Sequence, residues 1–220
     1  MKIIARIRNP YDGKFGIPRQ SGIVEQVVST IVFEPEYRVA EALRGIEEFS
    51  HLWLIWAFDR AEREEWSPTV RPPRLGGNQR IGVFATRSPF RPNAVGLSCV
   101  KLLGTEKGKE GTVLKVAGAD LMNGTPIYDI KPYVPYADCK PEATGGFTDR
   151  TEKRKVSVIV PDEIVRETDP AELEMLKAVL REDPRPAYQD DPERIYAFEF
   201  GGHHVEFRVE NNLLHIIRLC

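Results

Sequence analysis

The chain has 220 residues, of which 41% are hydrophobic and 29% are charged, and its formal net charge is −2. This composition is typical of a soluble globular protein, and no stretch approaches the length of a transmembrane helix. Its three cysteines (Cys99, Cys139 and Cys220) are widely separated and form no CxxC pair, which argues against a zinc site and a secreted disulfide framework. Since the N-terminus also lacks the apolar run of a signal peptide, we expect a cytoplasmic protein that needs no metal.

Positive charge is concentrated in the middle of the chain. Residues 66–105 contain no Asp or Glu, but they contain five arginines and one lysine: Arg71, Arg74, Arg80, Arg87, Arg91 and Lys101. An excess of acidic residues over 161–193 cancels this charge in the total. The asymmetry indicates a polyanion such as RNA, or a nucleotide-like cofactor. Pairing of these arginines with carboxylates from elsewhere in the fold explains it equally well.

Apolar periodicity and turn residues predict a chain dominated by short strands. Strands are expected at residues 2–8, 23–33, 50–58, 81–86, 96–104, 112–118 and 126–134. Residues 36–48 predict a helix, because Val39, Leu43 and Ile46 recur at helical spacing. Pro- and Gly-rich loops are expected over 10–22 and 59–80. Many short strands with one early helix favour an antiparallel barrel or sandwich over a βαβ sheet.

A polar, turn-rich segment at 139–153 predicts a boundary at the end of this first unit. Beyond it we expect a strand at 156–160, a helix that Asp169 caps and Pro170 begins, and a three-stranded meander over 194–219. The predicted fold is therefore mainly β, with an antiparallel β-barrel over residues 1–140 and a small α+β domain over 154–220.

The loop over residues 85–98 is the first candidate binding element. Arg87 and Arg91 lie four residues apart around two prolines, so their guanidinium groups are held in place and suit a carboxylate or phosphate. Asn93 adds an amide that could recognise a polar edge, and Gly96 permits close approach of the backbone. The same pattern also occurs in purely structural corners, although two arginines and an asparagine in one rigid loop favour binding.

The second candidate element is the segment 121–138. Asn123, Gly124, Thr125 and Pro126 form a predicted tight turn that exposes backbone amides. Strand alternation then places Ile127, Asp129, Lys131 and Tyr133 on one face. A solvated outer face would look the same, but the position directly after the turn favours a functional site.

Several blocks of this sequence together resemble one family. Residues 50–58 (SHLWLIWAF), 69–98 and 124–138 (GTPIYDIKPYVPYAD), with 181–189 (REDPRPAYQ), are similar to signature segments of the TrmO family. These proteins methylate N6 of threonylcarbamoyladenosine beside the anticodon of tRNA. The resemblance implies a β-barrel that binds S-adenosylmethionine, a small C-terminal domain and a homodimer whose cofactor sites lie near the subunit interface. We expect that interface to bury part of the 59–80 loop.

The resemblance also assigns individual residues to the cofactor site. The matching positions are Pro18, Arg19, Gln20, Asp59, Arg60, Arg87, Leu97, Asn123, Gly124, Thr125 and Pro126. At Asp59 and Arg60 bacterial relatives often carry His and Gln, and Asn123 replaces an Asp that usually precedes the GTP triplet.

Chemistry suggests roles for the remaining polar residues. The acceptor nitrogen of threonylcarbamoyladenosine belongs to a urea, so it is a poor nucleophile until its proton leaves. We expect Asp129 to be the base, Lys131 to stabilise the developing negative charge and Tyr133 to position the substrate. Arg91 suits the threonyl carboxylate, and Asn93 is assigned to the same substrate.

Two other functions remain open at this point. One is a non-catalytic RNA-binding barrel, in which basic residues alternate with exposed aromatic residues. The aromatic residues of the apolar run, Trp53, Trp56 and Phe58, are expected to be buried, which disfavours that function. The other is a methyltransferase for another RNA or a small molecule, because fold does not determine substrate.

Overall fold

The computed structural model describes residues 1–60, 65–151, 154–186, 189 and 191–220, and residues 61–64 of the predicted 59–80 loop lie outside them. The prediction of a mainly β chain is confirmed. The strands are β1 (Ala5–Arg8), β2 (Val28–Phe33), β3 (His51–Ala57), β4 (Thr69–Val70), β5 (Ile81–Gly82), β6 (Val95–Gly108), β7 (Gly111–Ala117), β8 (Pro126–Pro132), β9 (Ser157–Ile159), β10 (Tyr196–Phe200), β11 (His203–Glu210) and β12 (Leu213–Leu219). The α-helices are α1 (Pro135–Asp138), α2 (Asp162–Glu167) and α3 (Pro170–Arg181).

Six strands form an antiparallel sheet in the order β1-β2-β7-β6-β3-β8, and β8 returns to pair with β1, which closes the sheet. Side chains alternate between the two faces, as the period of a strand requires. Along β3, Leu52, Leu54 and Trp56 are buried inside, whereas Trp53 and Ile55 lie on the outer face. The inward residues form the barrel core, which consists mainly of aliphatic side chains from all six strands.

Two predicted elements of the barrel half are wrong. Residues 36–48 form three separate 3₁₀ turns, because Val39 and Arg44 adopt extended backbone conformations between them and Gly45 takes a left-handed one. The predicted strand at 81–86 stops at Gly82, where a 3₁₀ turn over Val83–Ala85 replaces it. Helical spacing of apolar residues was misleading at 36–48, since Leu43 and Ile46 contact the barrel core from these turns.

The C-terminal region contains a four-stranded sheet in the order β10-β11-β12-β9. The predicted meander is confirmed, with left-handed residues at both turns, Gly201 and Gly202 in one and Asn211 and Asn212 in the other. The predicted cap is confirmed as well, because the carboxylate of Asp169 accepts the N–H groups of Ala171 (2.9 Å) and Glu172 (3.1 Å).

The core of this region, called here the C-terminal core, includes residues from the far N-terminal part of the chain. Tyr11, Val24 and Val27 belong to it, and Phe15 and Ile17 pack against it. Gly16 has a φ of 90°, and a Cβ there would lie 2.5 Å from Cε2 of Phe198. The segment 9–27, which connects β1 to β2, is therefore anchored in the C-terminal core.

Candidate active site

Gln20 and Arg87, two residues that the resemblance assigns to the cofactor, contact each other. Nη1 of Arg87 donates a hydrogen bond to Oε1 of Gln20. Two further bonds fix the loop that carries Gln20: Oγ of Ser21 accepts the N–H of Cys99 on β6 (3.1 Å), and the N–H of Gly22 donates to the carbonyl of Gly118 (2.8 Å). The barrel wall therefore holds Gln20 beside the arginine loop.

A half-buried carboxylate that the sequence analysis missed lies next to this pair. Oδ1 of Asp120 accepts a hydrogen bond from Ser98, whose own Oγ accepts Nε1–H of the buried Trp56 at 2.9 Å. Burial raises the pKa of Asp120, while the Ser98 hydroxyl, backbone hydrogen bonds and the charge of Arg87 oppose that rise. An acidic residue between the fully buried Ala119 and Leu121 was the signal available in the sequence.

Gly96 does permit a close approach, but its neighbour is the Trp56 side chain. A Cβ at Gly96 would lie 2.2 Å from Cε2 of the indole ring. The ring therefore packs directly over the glycine, at the register position where the two residues pair across β3 and β6. This packing directs the indole N–H towards Ser98 and so orients the hydroxyl that contacts Asp120.

The predicted turn at 123–126 is present, but its amides are not exposed. The N–H groups of Asn123 and Gly124 donate to the carbonyls of Tyr11 and Ile7, both at 2.8 Å. Nη2 of Arg60 reaches the Asn123 carbonyl at 3.4 Å, so the structure brings these two predicted positions together. The expectation of free amides was wrong, because backbone carbonyls of the segment 7–11 accept their hydrogen bonds.

The side chain of Asn123 explains why an asparagine stands at this position. Its Nδ2 donates to Oδ1 of Asp12 (3.1 Å), and its Oδ1 accepts the N–H of Asn9 at 3.4 Å. A carboxylate in its place would face Asp12 without a proton to donate, and like charges at this distance repel. Asn123 therefore ties the turn to segment 9–27.

The other predicted cofactor residues have distinct environments. Leu97 is 51% exposed on the outer face of β6, whereas Pro18, Thr125 and Pro126 are buried. Asp59 is exposed directly after β3. Nη2 of Arg19 donates to the carbonyl of Arg185 at 3.0 Å, so this side chain links segment 9–27 to the C-terminal region.

A β-bulge on β8 changes which of its residues share a face. Ile55 pairs with Asp129, but the next residue, Trp56, pairs with Ile127, which leaves Tyr128 as the extra residue. Ile127 is therefore fully buried in the barrel core, and its predicted place beside Asp129 was wrong. Asp129 and Lys131 share the outer face and form an ion pair at 3.1 Å, with 46% and 61% of their side chains exposed.

Asp129 and Leu97 lie on the same outer face of the barrel. Both pair with Ile55 in the intervening strand, so two strand spacings, roughly 10 Å, separate them. Tyr133 lies four residues further along the chain, roughly 13 Å away, and packs near Trp53 with a centroid distance of 5.8 Å. Of the three predicted catalytic residues, Asp129 and Lys131 therefore lie nearer to Leu97, and Tyr133 lies farther from it.

The two predicted substrate residues, Arg91 and Asn93, lie in the same loop as Arg87. Nη1 of Arg91 points back to the Thr86 carbonyl at 3.5 Å. Asn93 is exposed, and the adjacent Ala94 carbonyl accepts the N–H of Phe58 at 2.9 Å, which ties this part of the loop to the end of β3. The guanidinium group of Arg91 is therefore held against the backbone of the residue that precedes Arg87.

Four arginines of the central segment have no acidic partner among the residues that the structure describes. Within the described ranges, no carboxylate lies at salt-bridge distance from Arg71, Arg80, Arg87 or Arg91. This observation favours the binding interpretation of the charge asymmetry. Among the same residues there is no group of His, Cys, Asp and Glu that could hold a metal ion, and no helix is long and apolar enough to cross a membrane.

A closed six-stranded barrel with an exposed, arginine-bearing loop suits a class of proteins that bind anionic groups. Two family models narrow this class: the tRNA-methyltransferase O N-terminal domain matches residues 6–139, and the TrmO C-terminal domain matches residues 154–220. The chain therefore belongs to the TrmO family, and the resemblance noted in the sequence is confirmed.

Similar proteins agree with this assignment. A relative from Escherichia coli (strain K12), named tRNA (adenine(37)-N6)-methyltransferase, is 40% identical over 214 residues, which cover 94% of this chain and 91% of the relative. A Pseudomonas aeruginosa relative, named putative S-adenosylmethionine-dependent methyltransferase RcsF, is 41% identical over 202 residues, which cover 88% of this chain and 85% of the relative. The crystal structure of TrmO from Pseudomonas aeruginosa superimposes with a TM-score of 0.77 at 30% identity, over 99% of this chain and 97% of that chain.

Proposed function

We propose that this protein is a methyltransferase that uses S-adenosylmethionine to methylate N6 of threonylcarbamoyladenosine next to the anticodon of tRNA. The main support is the meeting of Gln20 with Arg87, two positions that lie 67 residues apart and that the family resemblance independently assigns to the cofactor. The names of the relatives agree with methylation of adenine 37 in tRNA, and the family resemblance implies the threonylcarbamoyl group.

The residues around Arg87 suit the proposed cofactor. S-adenosylmethionine carries a carboxylate, an amine and a polar adenine edge, and when bound it supplies an electrophilic methyl group. The exposed Arg87 offers a guanidinium fork for an anion, and Gln20 holds one of its nitrogens in place. The half-exposed Leu97 offers an apolar surface on the adjoining strand. Arg60, held near Asn123, supplies a further donor.

On the acceptor side, this chain must promote loss of a proton from a weakly nucleophilic urea nitrogen. We assign the base to Asp129, with Lys131 stabilising the resulting negative charge, because both lie on the outer face that also carries Leu97. Their ion pair must open so that each group can contact the substrate, and exposed pairs of this kind contribute only about 0–1 kcal/mol. Tyr133 is assigned to substrate positioning at the far end of this face. Arg91 and Asn93 lie in the same loop as Arg87. Arg91 is assigned to the threonyl carboxylate, and Asn93 is assigned to the edge of the base.

We expect Asp129→Asn to lower the rate of methylation, measured in single-turnover experiments, by roughly 10²–10⁴-fold, which is the usual contribution of a general base. The substrate is tRNA that carries threonylcarbamoyladenosine, and nucleoside mass spectrometry detects the product. Lys131→Met removes the charge but keeps most of the apolar stem, so it tests charge stabilisation separately. Glu174→Gln, which breaks an exposed ion pair with Lys177 on α3, is the matched control. Near-wild-type rates in both site variants would mean that the proton is removed elsewhere.

We also propose a homodimer in which part of the 59–80 loop is buried. Long loops without extended secondary structure commonly serve as contact or functional elements. Sedimentation at micromolar concentration should show twice the chain mass of 25.0 kDa, and a species of 25.0 kDa alone would contradict the dimer.

A further inference from the structure

Two aromatic side chains that no role above explains lie stacked and exposed near the arginine loop. The rings of Trp66 and Phe84 have centroids 6.1 Å apart and planes inclined by only 27°. Trp66 is 49% exposed and Phe84 is 73% exposed, although both are large and apolar. Single exposed apolar residues are common, but a contiguous exposed pair indicates a binding surface.

The local fold explains how these rings come together and why they stay outside the core. The antiparallel pair β4–β5 brings residues 66–70 alongside 81–84, with the N–H of Val83 bonded to the Pro68 carbonyl at 3.0 Å. Val83 points inward and is fully buried, so the neighbouring Phe84 is directed to solvent. The N–H of Ser67 donates to the Phe90 carbonyl (3.3 Å), which fastens the pair to the arginine loop. The surface formed by Trp66 and Phe84 is called here the aromatic platform.

The chain that follows Trp66 carries charge of one sign, although the exposed Glu65 lies directly before it. The platform lies within the 40-residue stretch 66–105, which contains no acidic residue. Arg80 is attached to the same pair of strands through Nε and Oγ1 of Thr69 (2.8 Å), and Arg87 follows Phe84 by three residues, within roughly 10 Å along the chain. Planar rings beside cations match the two components of single-stranded nucleic acid, which are stacking bases and phosphates.

We propose that the aromatic platform binds an unpaired nucleobase of the anticodon loop while Arg80 contacts an adjacent phosphate. This inference rests on the proposed function and adds to it a site for a loop nucleotide other than the one that is methylated. Because the rings of paired bases are covered by their neighbours, the platform selects unpaired RNA over duplex. A second copy of this chain is the competing occupant, and the charge favours RNA, since each partner in a dimer would present the same arginines.

The test measures binding of the full-length protein to a fluorescein-labelled anticodon stem-loop RNA by anisotropy. Phe84→Ala and Trp66→Ala should each weaken binding by about 10- to 100-fold, the range for loss of one base–aromatic stack. Because no charge is lost, the slope of log affinity against log salt should stay the same in these variants. Arg80→Gln should reduce that slope by about 0.7–0.9 for its lost phosphate contact. Tyr136→Ala, which removes a 90% exposed aromatic residue outside the platform, is the matched control.

Three further measurements separate the possible outcomes. Trp66→Phe should keep most of the affinity, because it retains an aromatic face. A duplex RNA without a loop should bind the wild type and Phe84→Ala equally. Calorimetric titration with S-adenosylmethionine should give wild-type affinity in Phe84→Ala, which shows that the variant is folded.

Unchanged RNA affinity in both alanine variants would overturn the platform and leave the proposed methyltransferase intact. Dissociation of a wild-type dimer by Phe84→Ala, at unchanged RNA affinity per chain, would assign the platform to a second copy and likewise overturn the inference. Failure of the wild type itself to bind the RNA or to methylate tRNA would instead contradict the proposed function.

Discussion

The two cores of this molecule are built differently, and the difference shows where its functional residues are positioned. The barrel core is mainly aliphatic and closes on itself through six strands. The C-terminal core is rich in aromatic residues, including Phe198, Phe200 and Phe207, and it incorporates Tyr11 from the other end of the chain. The barrel supplies the wall on which Leu97 and Asp129 lie. The C-terminal core anchors the segment that carries Gln20.

This contrast assigns a role to the C-terminal region beyond its own stability. Segment 9–27 has no regular secondary structure between β1 and β2, so it depends on anchoring contacts at both ends. Phe15 and Ile17 pack into the C-terminal core just before Pro18, and Val24 packs there four residues after Gln20. Gln20 thus reaches Arg87 from a loop whose two sides are held by the second core.

The strongest test of this division is Gly16→Ala. Its Cβ would lie 2.5 Å from Cε2 of Phe198, and the backbone at this residue is left-handed, so the substitution should displace segment 9–27. Overpacking of this kind costs about 1–3 kcal/mol. We expect affinity for S-adenosylmethionine, measured by calorimetry, to fall at least about 10-fold. Gly13→Ala, in the same segment with open space around the new Cβ, should bind normally, and equal behaviour of the two variants would contradict the anchoring role.

A more local change tests the barrel side of the same contact. Arg87→Ala removes the guanidinium that faces Gln20 and should weaken S-adenosylmethionine binding by roughly 10-fold or more, because hydrogen bonds to charged groups are worth about 1.5–3 kcal/mol. Arg208→Ala, on the exposed face of β11, removes the same charge elsewhere and should have no effect. Arg19→Ala should also reduce binding, but through its link to the Arg185 carbonyl. Unaltered affinity in both Arg87→Ala and Arg19→Ala would refute this placement of the cofactor.

The smallest expected effect concerns Asp120 and depends on pH. Since burial raises its folded-state pKa above the unfolded value, Asp120 favours folding when protonated, and this contribution is lost as pH rises through the folded pKa. Asp120→Asn resembles the protonated form, so at pH 7 it should raise Tm. At a pH below about 3.9, the pKa of an unfolded Asp, the difference in Tm between Asp120→Asn and the wild type should disappear. A lower Tm at pH 7 would mean that the hydrogen bonds of the carboxylate outweigh its desolvation.

Much of the fold could be predicted because its signals are local. A continuous apolar run located β3, turn residues separated β6 from β7, and cap chemistry located the start of α3 at Asp169 and Pro170. The failures involve tertiary context. The bulge at Tyr128, which moves Ile127 into the core, depends on how β3 and β8 meet, and periodicity within one strand does not contain that information.

The candidate site was predictable to a similar extent. The meeting of Gln20 with Arg87 could be expected only from the family resemblance, because nothing local links positions so far apart. Asp120 was missed since a single acidic residue near a turn usually indicates a solvated loop. The aromatic platform was missed because the aromatic residues of the apolar run, Trp53, Trp56 and Phe58, were expected to be buried, and no local pattern brings Trp66 and Phe84, which flank β4 and β5, together.

The anchoring of segment 9–27 also has a consequence for biosynthesis. The carbonyl of Pro10 accepts the N–H of Gly201, and the carboxylate of Asp12 accepts the N–H of Gly202 at 3.2 Å, 190 residues further along the chain. At about 5–20 residues per second, a ribosome takes roughly 10–40 s to make the intervening chain. During that interval the barrel strands can pair while Tyr11, Phe15 and Ile17 still lack their partners. A nascent chain can therefore fasten segment 9–27 to the C-terminal core only after residue 202 has been made.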